Sequence, residues 1–383
     1  MASIPIIIIG TGLAGYNLAR EFRKCDSETE LVLVTQDDGA FYSKPMLSNA
    51  LAKNKQPDDL AMGDAQKMQS DLNARVITRQ RVTAIDPQKQ LIQLEQGEQL
   101  SFSQLVLAVG ANPFQFPMQG DATGDVLTVN DLDDYRIFRN KLADKKSVAI
   151  IGPGLIGCEF ANDLAVDDYQ VSVIGPDEAP ISTLLPTPAG QALQVALSAI
   201  GVNWYLQNTV AAINKIDPGY ELTLSDGQTL RADVVLSAIG LRANIELAKS
   251  AGLECNRGIV VDRTLKTSAE NMYALGDCAE VVGLHLPFVM PLMQSARALA
   301  ATLCGKETSV SYPAMPVLIK TPILATVVSP PERGSEGEWV IEKTDQGVKA
   351  IFKDDENILG FVLMGEAVSE KAVLTKQLPA VLV

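Results

Sequence analysis

Apolar positions cluster into short blocks along the chain, and the blocks recur in a fixed grammar. Ile4–Ile9 is a compact apolar run that reads as a strand, and the stretch beyond Leu13 to about Lys24 reads as a helix. Leu31–Thr35 is a second strand. Far downstream the order returns: Ser147–Ile151 as strand, Cys158–Val166 as helix, Val171–Ile174 as strand. At the strand-to-helix junction of each copy lies a glycine turn, Gly10-Thr11-Gly12-Leu13-Ala14-Gly15 and Gly152-Pro153-Gly154-Leu155-Ile156-Gly157. One such turn is weak evidence, since a glycine-rich bend between core elements has the same composition. Two copies, each set strand–turn–helix–strand, are specific. The first glycine allows the tight turn and the second lets backbone approach a pyrophosphate. The third lets helix and strand pack closely, so that helix N–H groups face negative charge.

The segments between follow the same duplication. Arg75–Ile85 and Gln90–Leu94 read as strands of an antiparallel meander, leading to Leu105–Val109 and the turn Gly110-Ala111-Asn112-Pro113. Val202–Tyr205, Val210–Ile213, Tyr220–Leu224 and Leu230–Ile239 repeat this and end at Gly240. The chain then returns to its first unit through Gly258–Val261, Met272–Leu275 and Gly276-Asp277. From about Val310 the character changes. Met315–Lys320, Leu324–Val328, Glu338–Glu342, Val348–Lys353 and Ile358–Met364 read as five short strands, and Ala367–Gln377 as a closing helix. Asp345-Gln346-Gly347 and Asp355-Glu356-Asn357 supply hairpin turns. The fold class is therefore α/β: two Rossmann-like dinucleotide-binding domains, one inserted in the other, plus a small α+β C-terminal domain.

Composition narrows the partners. The 383 residues allow two or three domains, and 47% hydrophobic against 20% charged residues excludes wholesale disorder. The net charge of −14 with no Lys/Arg cluster argues against nucleic acid or an anionic membrane surface as partner. No aliphatic run approaches the roughly 20 residues of a spanning helix, and no leader-like segment opens the chain, so a cytoplasmic protein without membrane insertion is expected. Cys25, Cys158, Cys255, Cys278 and Cys304 are scattered without a CxxC. They form neither a metal pattern nor a disulfide framework, and no metal site is expected.

The paired turns, Val109-Gly110-Ala111 and Ala274-Leu275-Gly276-Asp277-Cys278-Ala279 together resemble the two-dinucleotide-binding flavoproteins. Within that superfamily Phe41-Tyr42-Ser43-Lys44-Pro45-Met46-Leu47-Ser48 and Val317-Leu318-Ile319-Lys320-Thr321-Pro322 are similar to NADH-dependent rubredoxin reductases, with flavorubredoxin reductases as cousins. The resemblance implies FAD on residues 1–112 and 243–310, NADH on 113–242, and a C-terminal domain over 311–383. Gly10, Gly12, Leu13, Ala14 and Gly15 then cradle FAD, with Asp37 on its ribose (a solvated turn acid is the plain alternative). Val82 lies beside the adenine, unless it is only a core strand residue.

By the same resemblance Lys44 pairs with Glu159 beside the reactive flavin, where an ammonium favours negative charge on the reduced ring. A surface lysine and a first-turn helix glutamate would look alike in sequence. Asp277 holds the ribityl chain or merely caps a turn. The helix beginning near Pro291 points its positive end at the ring, which puts Val289 among the flavin contacts. Lys320 faces the ring or is a lysine on a strand ladder. Gly152, Gly154, Gly157 and Gly240 serve NADH. The acid that usually ends the second strand is missing at Gly175, with Asp177 and Glu178 following a proline, and Leu241-Arg242-Ala243-Asn244 lacks the family's proline. No arginine near Gly175–Glu178 awaits a 2′-phosphate, which favours NADH over NADPH.

Phe41–Lys55 holds no cysteine, and the single histidine, His285, lies outside the C-terminal unit. Disulfide and peroxide chemistry are thereby disfavoured, and His285 reads as structural or peripheral. The expected activity is hydride transfer from NADH to FAD and single-electron delivery to rubredoxin or a similar small iron carrier. A ferredoxin or flavorubredoxin reductase, or a non-catalytic sensor of FAD and NADH, are the alternatives.

Overall fold

The computed structural model describes residues 4–383; Met1–Ser3, where the first expected unit begins, lie outside the described residues. Ile6–Ile9 is buried along its whole length, as a strand covered on both faces must be. It sits at the centre of a five-stranded parallel sheet ordered Met272–Ala274, Gln104–Leu107, Ile6–Ile9, Leu31–Val34, Arg75–Ile77. The helices Leu13–Arg23 and Val289–Leu303 pack together over it, so residues from both ends of the chain share one core. A second parallel sheet runs Val202–Leu206, Gln170–Gly175, Ser147–Ile151, Val234–Ser237. Each sheet carries an antiparallel three-stranded meander: Val82–Asp86, Leu91–Leu94, Gln99–Ser101 for the first and Val210–Lys215, Tyr220–Leu224, Thr229–Ala232 for the second.

The C-terminal sheet is antiparallel, ordered Val317–Ile319, Thr326–Ser329, Asn357–Gly365, Gly347–Asp354, Glu338–Thr344. Its Ile319, Val328, Val348 and Val362 share a core with Leu47, Leu51 and the helix Leu155–Val166. The C-terminal unit is thus clamped onto the helix behind the second glycine turn.

Several expectations are corrected. Arg75–Ile85 is two strands: Arg75–Ile77 joins the parallel sheet, and the chain turns at Arg79, in left-handed conformation, before the meander starts at Val82. Val202–Leu206 belongs to the parallel sheet, not the meander. Leu230–Ile239 breaks at Asp233, whose carboxylate accepts from the backbone of Lys146 and Ser147 and from the Ser147 hydroxyl at 2.8 Å. The closing helix is a 3-10 turn, Glu366–Glu370, followed by a short α-helix, Lys371–Thr375. Most consequentially, Cys25 and Cys304 form a disulfide, although the scattered cysteines gave no sign of a disulfide framework. The two follow the ends of Leu13–Arg23 and Val289–Leu303, and the packing of those helices brings them together across 279 residues of sequence. Among the described residues no helix is long and apolar enough to cross a membrane.

Candidate functional site

Each glycine turn is imposed by its neighbours. Gly10 and Gly152 both sit at φ +110°, and a Cβ at either would run into backbone, the Ala108 or the Ala238 carbonyl. A Cβ on Gly15 would strike the Gly10 carbonyl, and one on Gly157 the Gly152 carbonyl, so each helix crosses its strand at backbone distance. Gly12 and Gly154 are different: beyond the adjoining chain, nothing lies within 4 Å of a Cβ built there. Their lack of a side chain keeps open space in front of the helix.

That space faces unsatisfied donors. The helices beginning at Leu13, Leu155 and Val289 have no side-chain cap and no acid in the first turn. Helices Ala65–Leu72 and Leu132–Leu142, by contrast, are capped by Asp64 and Asp131. Free N–H groups at a helix start, in front of a side-chain-free gap, suit a pyrophosphate, and the residues at each turn fit a dinucleotide such as FAD or NADH.

Asp37 lies at the end of the second strand with its Oδ1 fixed three ways, by the hydroxyls of Thr35 (2.6 Å) and Thr11 (3.3 Å) and the Gly39 N–H (2.9 Å). The turn leading to Val82 lies against it: Arg79 N–H donates to the Asp37 carbonyl at 2.9 Å and Gln80 N–H to the Thr35 carbonyl at 3.0 Å. Val82 itself is buried, and Leu13 and Ala14 open the helix beside the turn.

Lys44 and Glu159 do not pair; this corrects the expectation. The Lys44 ammonium donates to Asn130 Oδ1 at 2.7 Å, and Asn130 Nδ2 holds the Ala111 carbonyl at 3.0 Å. Burial pushes the Lys44 amine below its ordinary range, opposed by the carboxylates of Asp277, Asp131 and Asp134. Lys44 and Asp277 are therefore neighbours in the electrostatic sense. Asp277 follows Gly276, whose left-handed conformation sets it beside Ala14 of the first turn. His285 Nε2 hydrogen-bonds the Asp277 carbonyl at 2.9 Å.

Glu159, 1% exposed, meets Lys320 instead. Its carboxylate accepts from the Lys320 ammonium, from the Lys320 N–H at 2.9 Å and from the Ser48 hydroxyl at 2.6 Å, and the ammonium also reaches Ser48 at 3.1 Å. Two further buried polar residues on the same helix extend the contact. Asp163 accepts from the N–H groups of Leu51 (2.9 Å) and Ala52 (3.0 Å), and Asn162 Oδ1 from Ile323 N–H at 3.3 Å. Burial raises the Asp163 carboxyl while those N–H groups lower it. Asn130, Ser48, Asn162 and Asp163 escaped the sequence reading. Polar residues at 159, 162 and 163 on an otherwise apolar helix are a signal that marked Asn162 and Asp163, since that spacing shares a face; no such signal marked Asn130 or a role for Ser48.

Gly240, at φ +114°, precedes Leu241–Ala243, which pairs antiparallel with Ala111–Pro113 and joins the two nucleotide units. In the segment that lacks the family's proline, Arg242 stacks its guanidinium 4.0 Å over the Phe114 ring. Val289 and Met290 start their helix exposed, at 40% and 49%. Burial raises the thiol of Cys158, beside Gly157, and pushes that of Cys278 up to about 12, which favours the protonated form of both. The disulfide lies at the far ends of its helices from their glycine turn and first turn. Among the described residues no cluster of three or more His, Cys, Asp or Glu is placed to hold a metal.

Residues 4–300 match the family described as pyridine nucleotide-disulphide oxidoreductase, and residues 309–378 the one described as rubredoxin binding C-terminal domain. A rubredoxin-NAD(+) reductase of Alcanivorax borkumensis is 50% identical over 380 residues, 99% of each chain. One from Acinetobacter baylyi is 48% identical over 98% of each. The crystal structure of a ferredoxin reductase from Rhodopseudomonas palustris superposes with a TM-score of 0.89 at 24% identity, over 98% of this chain and 96% of that one, a likeness of fold.

Proposed function

The chain belongs to the pyridine nucleotide-disulphide oxidoreductase family, and from that premise we propose that it is a rubredoxin-NAD(+) reductase type flavoenzyme, using NADH and FAD to reduce rubredoxin. FAD, when bound, accepts a hydride and releases its two electrons one at a time. The chain's own residues bind, orient and compensate charge. Gly10, Gly12 and Gly15 present helix N–H groups to the FAD pyrophosphate, and Asp37, pinned through one oxygen, keeps the other for ribose hydroxyls. Gly152, Gly154 and Gly157 do the same for the NADH pyrophosphate, with Gly240 at the passage between the units. Lys44, anchored on the neutral Asn130, supplies positive charge at the junction of the three units, while Lys320, its charge neutralised by Glu159, ties those units together there. Asp277 and Val289 complete the FAD side.

The observation that carries the reading is the presence, in one chain, of two glycine-turn helices whose first turns are left without cap or acid. The match of residues 309–378 supports rubredoxin as acceptor. The cytoplasmic location expected from the sequence belongs to the same proposal, supported by the need for NADH as reductant. Anaerobic NADH addition to the yellow protein should bleach the flavin within seconds, and rubredoxin should then restore the colour. A flavin that stays oxidised for many minutes would remove the enzyme reading, and equal turnover with ferredoxin would leave rubredoxin without preference.

A further inference from the structure

In a dinucleotide-binding unit the second strand ordinarily ends on the acid that reads the adenosine ribose. Asp37 fills that place in the first unit. In the second the strand Gln170–Gly175 ends on glycine, and the structure leaves no room for anything else. A Cβ at Gly175 would be driven into the ring of Pro153, which stands between the first two glycines of the turn. Without the ring, the nearest remaining atom is the Pro153 backbone nitrogen, 3.3 Å away, a tight but possible contact.

The loop after Gly175 is tied back across this region. Ile181 N–H donates to the Pro153 carbonyl at 2.8 Å, Asn208 N–H to the Gly175 carbonyl and Gln207 N–H to the Asp177 carbonyl, both at 3.0 Å. Asp177 is half-buried, and its Oδ1 accepts the Ser182 hydroxyl at 2.7 Å. Glu178, the other acid on the loop, is exposed. A ligand-reading carboxylate must be held in place before the ligand arrives, since ordering it on binding costs affinity.

We infer that the ribose-reading acid has moved from the strand end to Asp177, steadied by Ser182, and that the Pro153 ring bars the original position. The inference rests on the NADH reading above. A carboxylate accepts hydrogen bonds from both hydroxyls of a plain ribose and repels a 2′-phosphate, so Asp177 also sets the preference for NADH over NADPH.

The test is calorimetric titration of the full-length, FAD-loaded protein with ADP-ribose and 2′-phospho-ADP-ribose, which reads binding without turnover. Flavin content, set by the first turn, reports that each variant is folded. The unmodified protein should prefer ADP-ribose. Asp177→Asn, and Asp177→Ala if it folds, should weaken ADP-ribose by roughly tenfold or more and narrow the gap to the phosphorylated ligand. Glu178→Gln should change neither. Gly175→Asp should weaken binding while Pro153 is present, and Pro153→Ala in the same chain should restore it. An effect of Glu178→Gln without one from Asp177→Asn overturns the assignment, as does no effect from either. Binding of neither ligand by the unmodified protein would overturn the NADH reading, and the inference with it.

Discussion

The helices behind the two glycine turns start alike and then diverge. Each begins on a side-chain-free residue with an open first turn, and each crosses its strand at a glycine five residues after the first. Two residues past that crossing, the first helix has Asn17, whose amide bonds its own helix at the Leu13 carbonyl, 2.7 Å away. The second has Glu159, which binds Ser48 of the first unit and Lys320 of the C-terminal unit. Six residues past it, Glu21 pairs with Lys24 at the first helix's own end, while Asp163 is buried under the backbone of Leu51 and Ala52. One turn design therefore serves two purposes. On the proposed function the first helix faces its ligand and packs; the second also fastens three units together around the place where the cofactors would meet.

Substituting the open glycine of each turn breaks the comparison hardest. Gly12 and Gly154 have negative φ and empty surroundings, so alanine fits the protein, and losing glycine at the N-cap costs at most about 1 kcal/mol. The added methyl stands only in the way of a ligand. Gly12→Ala should purify folded but with flavin content reduced by about tenfold or more. Gly154→Ala should keep its flavin and lose ADP-ribose binding by a similar factor. Flavin absorbance and calorimetry distinguish them. If Gly154→Ala also sheds flavin, the two turns are not separable and the division of labour is wrong.

The same glycines show what was legible beforehand. Gly15 and Gly157 are dictated by overlap with the glycine carbonyl five residues earlier, and a local constraint of that kind is written in spacing, whereas Gly10 and Gly152 are held by the distant carbonyls of Ala108 and Ala238 and are marked only by the repeated turn. The sheets were legible for a similar reason, because strands such as Ile6–Ile9 are apolar at every position. The partners of Lys44 were not. Which carboxylate reaches a lysine depends on how distant units dock, and the docking placed Lys320, 161 residues from Glu159, closer than Lys44. The strand break at Asp233 was hidden because apolar residues resume at once on both sides of it, whereas the break at Arg79 falls in the polar run Thr78-Arg79-Gln80-Arg81, a signal that was there to be read. The Cys25–Cys304 bond was hidden because helix-to-helix proximity leaves no mark on cysteine spacing.

The fastening role of the second helix gives a middle-sized effect. Glu159→Gln keeps an acceptor for Ser48 but leaves the Lys320 ammonium, 20% exposed, without its anion. Breaking a buried pair from one side should cost about 2–3 kcal/mol in denaturant unfolding. Asn17→Ala, at the matching position of the first helix, should cost no more than about 1 kcal/mol. Adding Lys320→Met to Glu159→Gln should recover most of the loss if uncompensated charge is its cause. Equal costs for Asn17→Ala and Glu159→Gln would erase the asymmetry between the helices.

The smallest effect separates the two lysines near the junction. Lys320 has a carboxylate partner, whereas Lys44 leans on the neutral Asn130 with Asp277, Asp131 and Asp134 further off, and burial lowers its proton affinity. Between its folded titration and the ordinary lysine range near pH 10.5, the unfolded chain carries a proton that the folded chain lacks. Unfolding in that window takes up a proton, so raising the pH favours the folded state. Below the window both states are protonated, and the cost of burying the ammonium is present in full. Unfolding free energy measured from about pH 8 to about pH 10 should rise more steeply in the unmodified protein than in Lys44→Met, by at most roughly 1.4 kcal/mol per pH unit. Parallel pH profiles would mean that Asn130 and the distant carboxylates hold the proton as firmly as water does, and that Lys44 is no less compensated than Lys320.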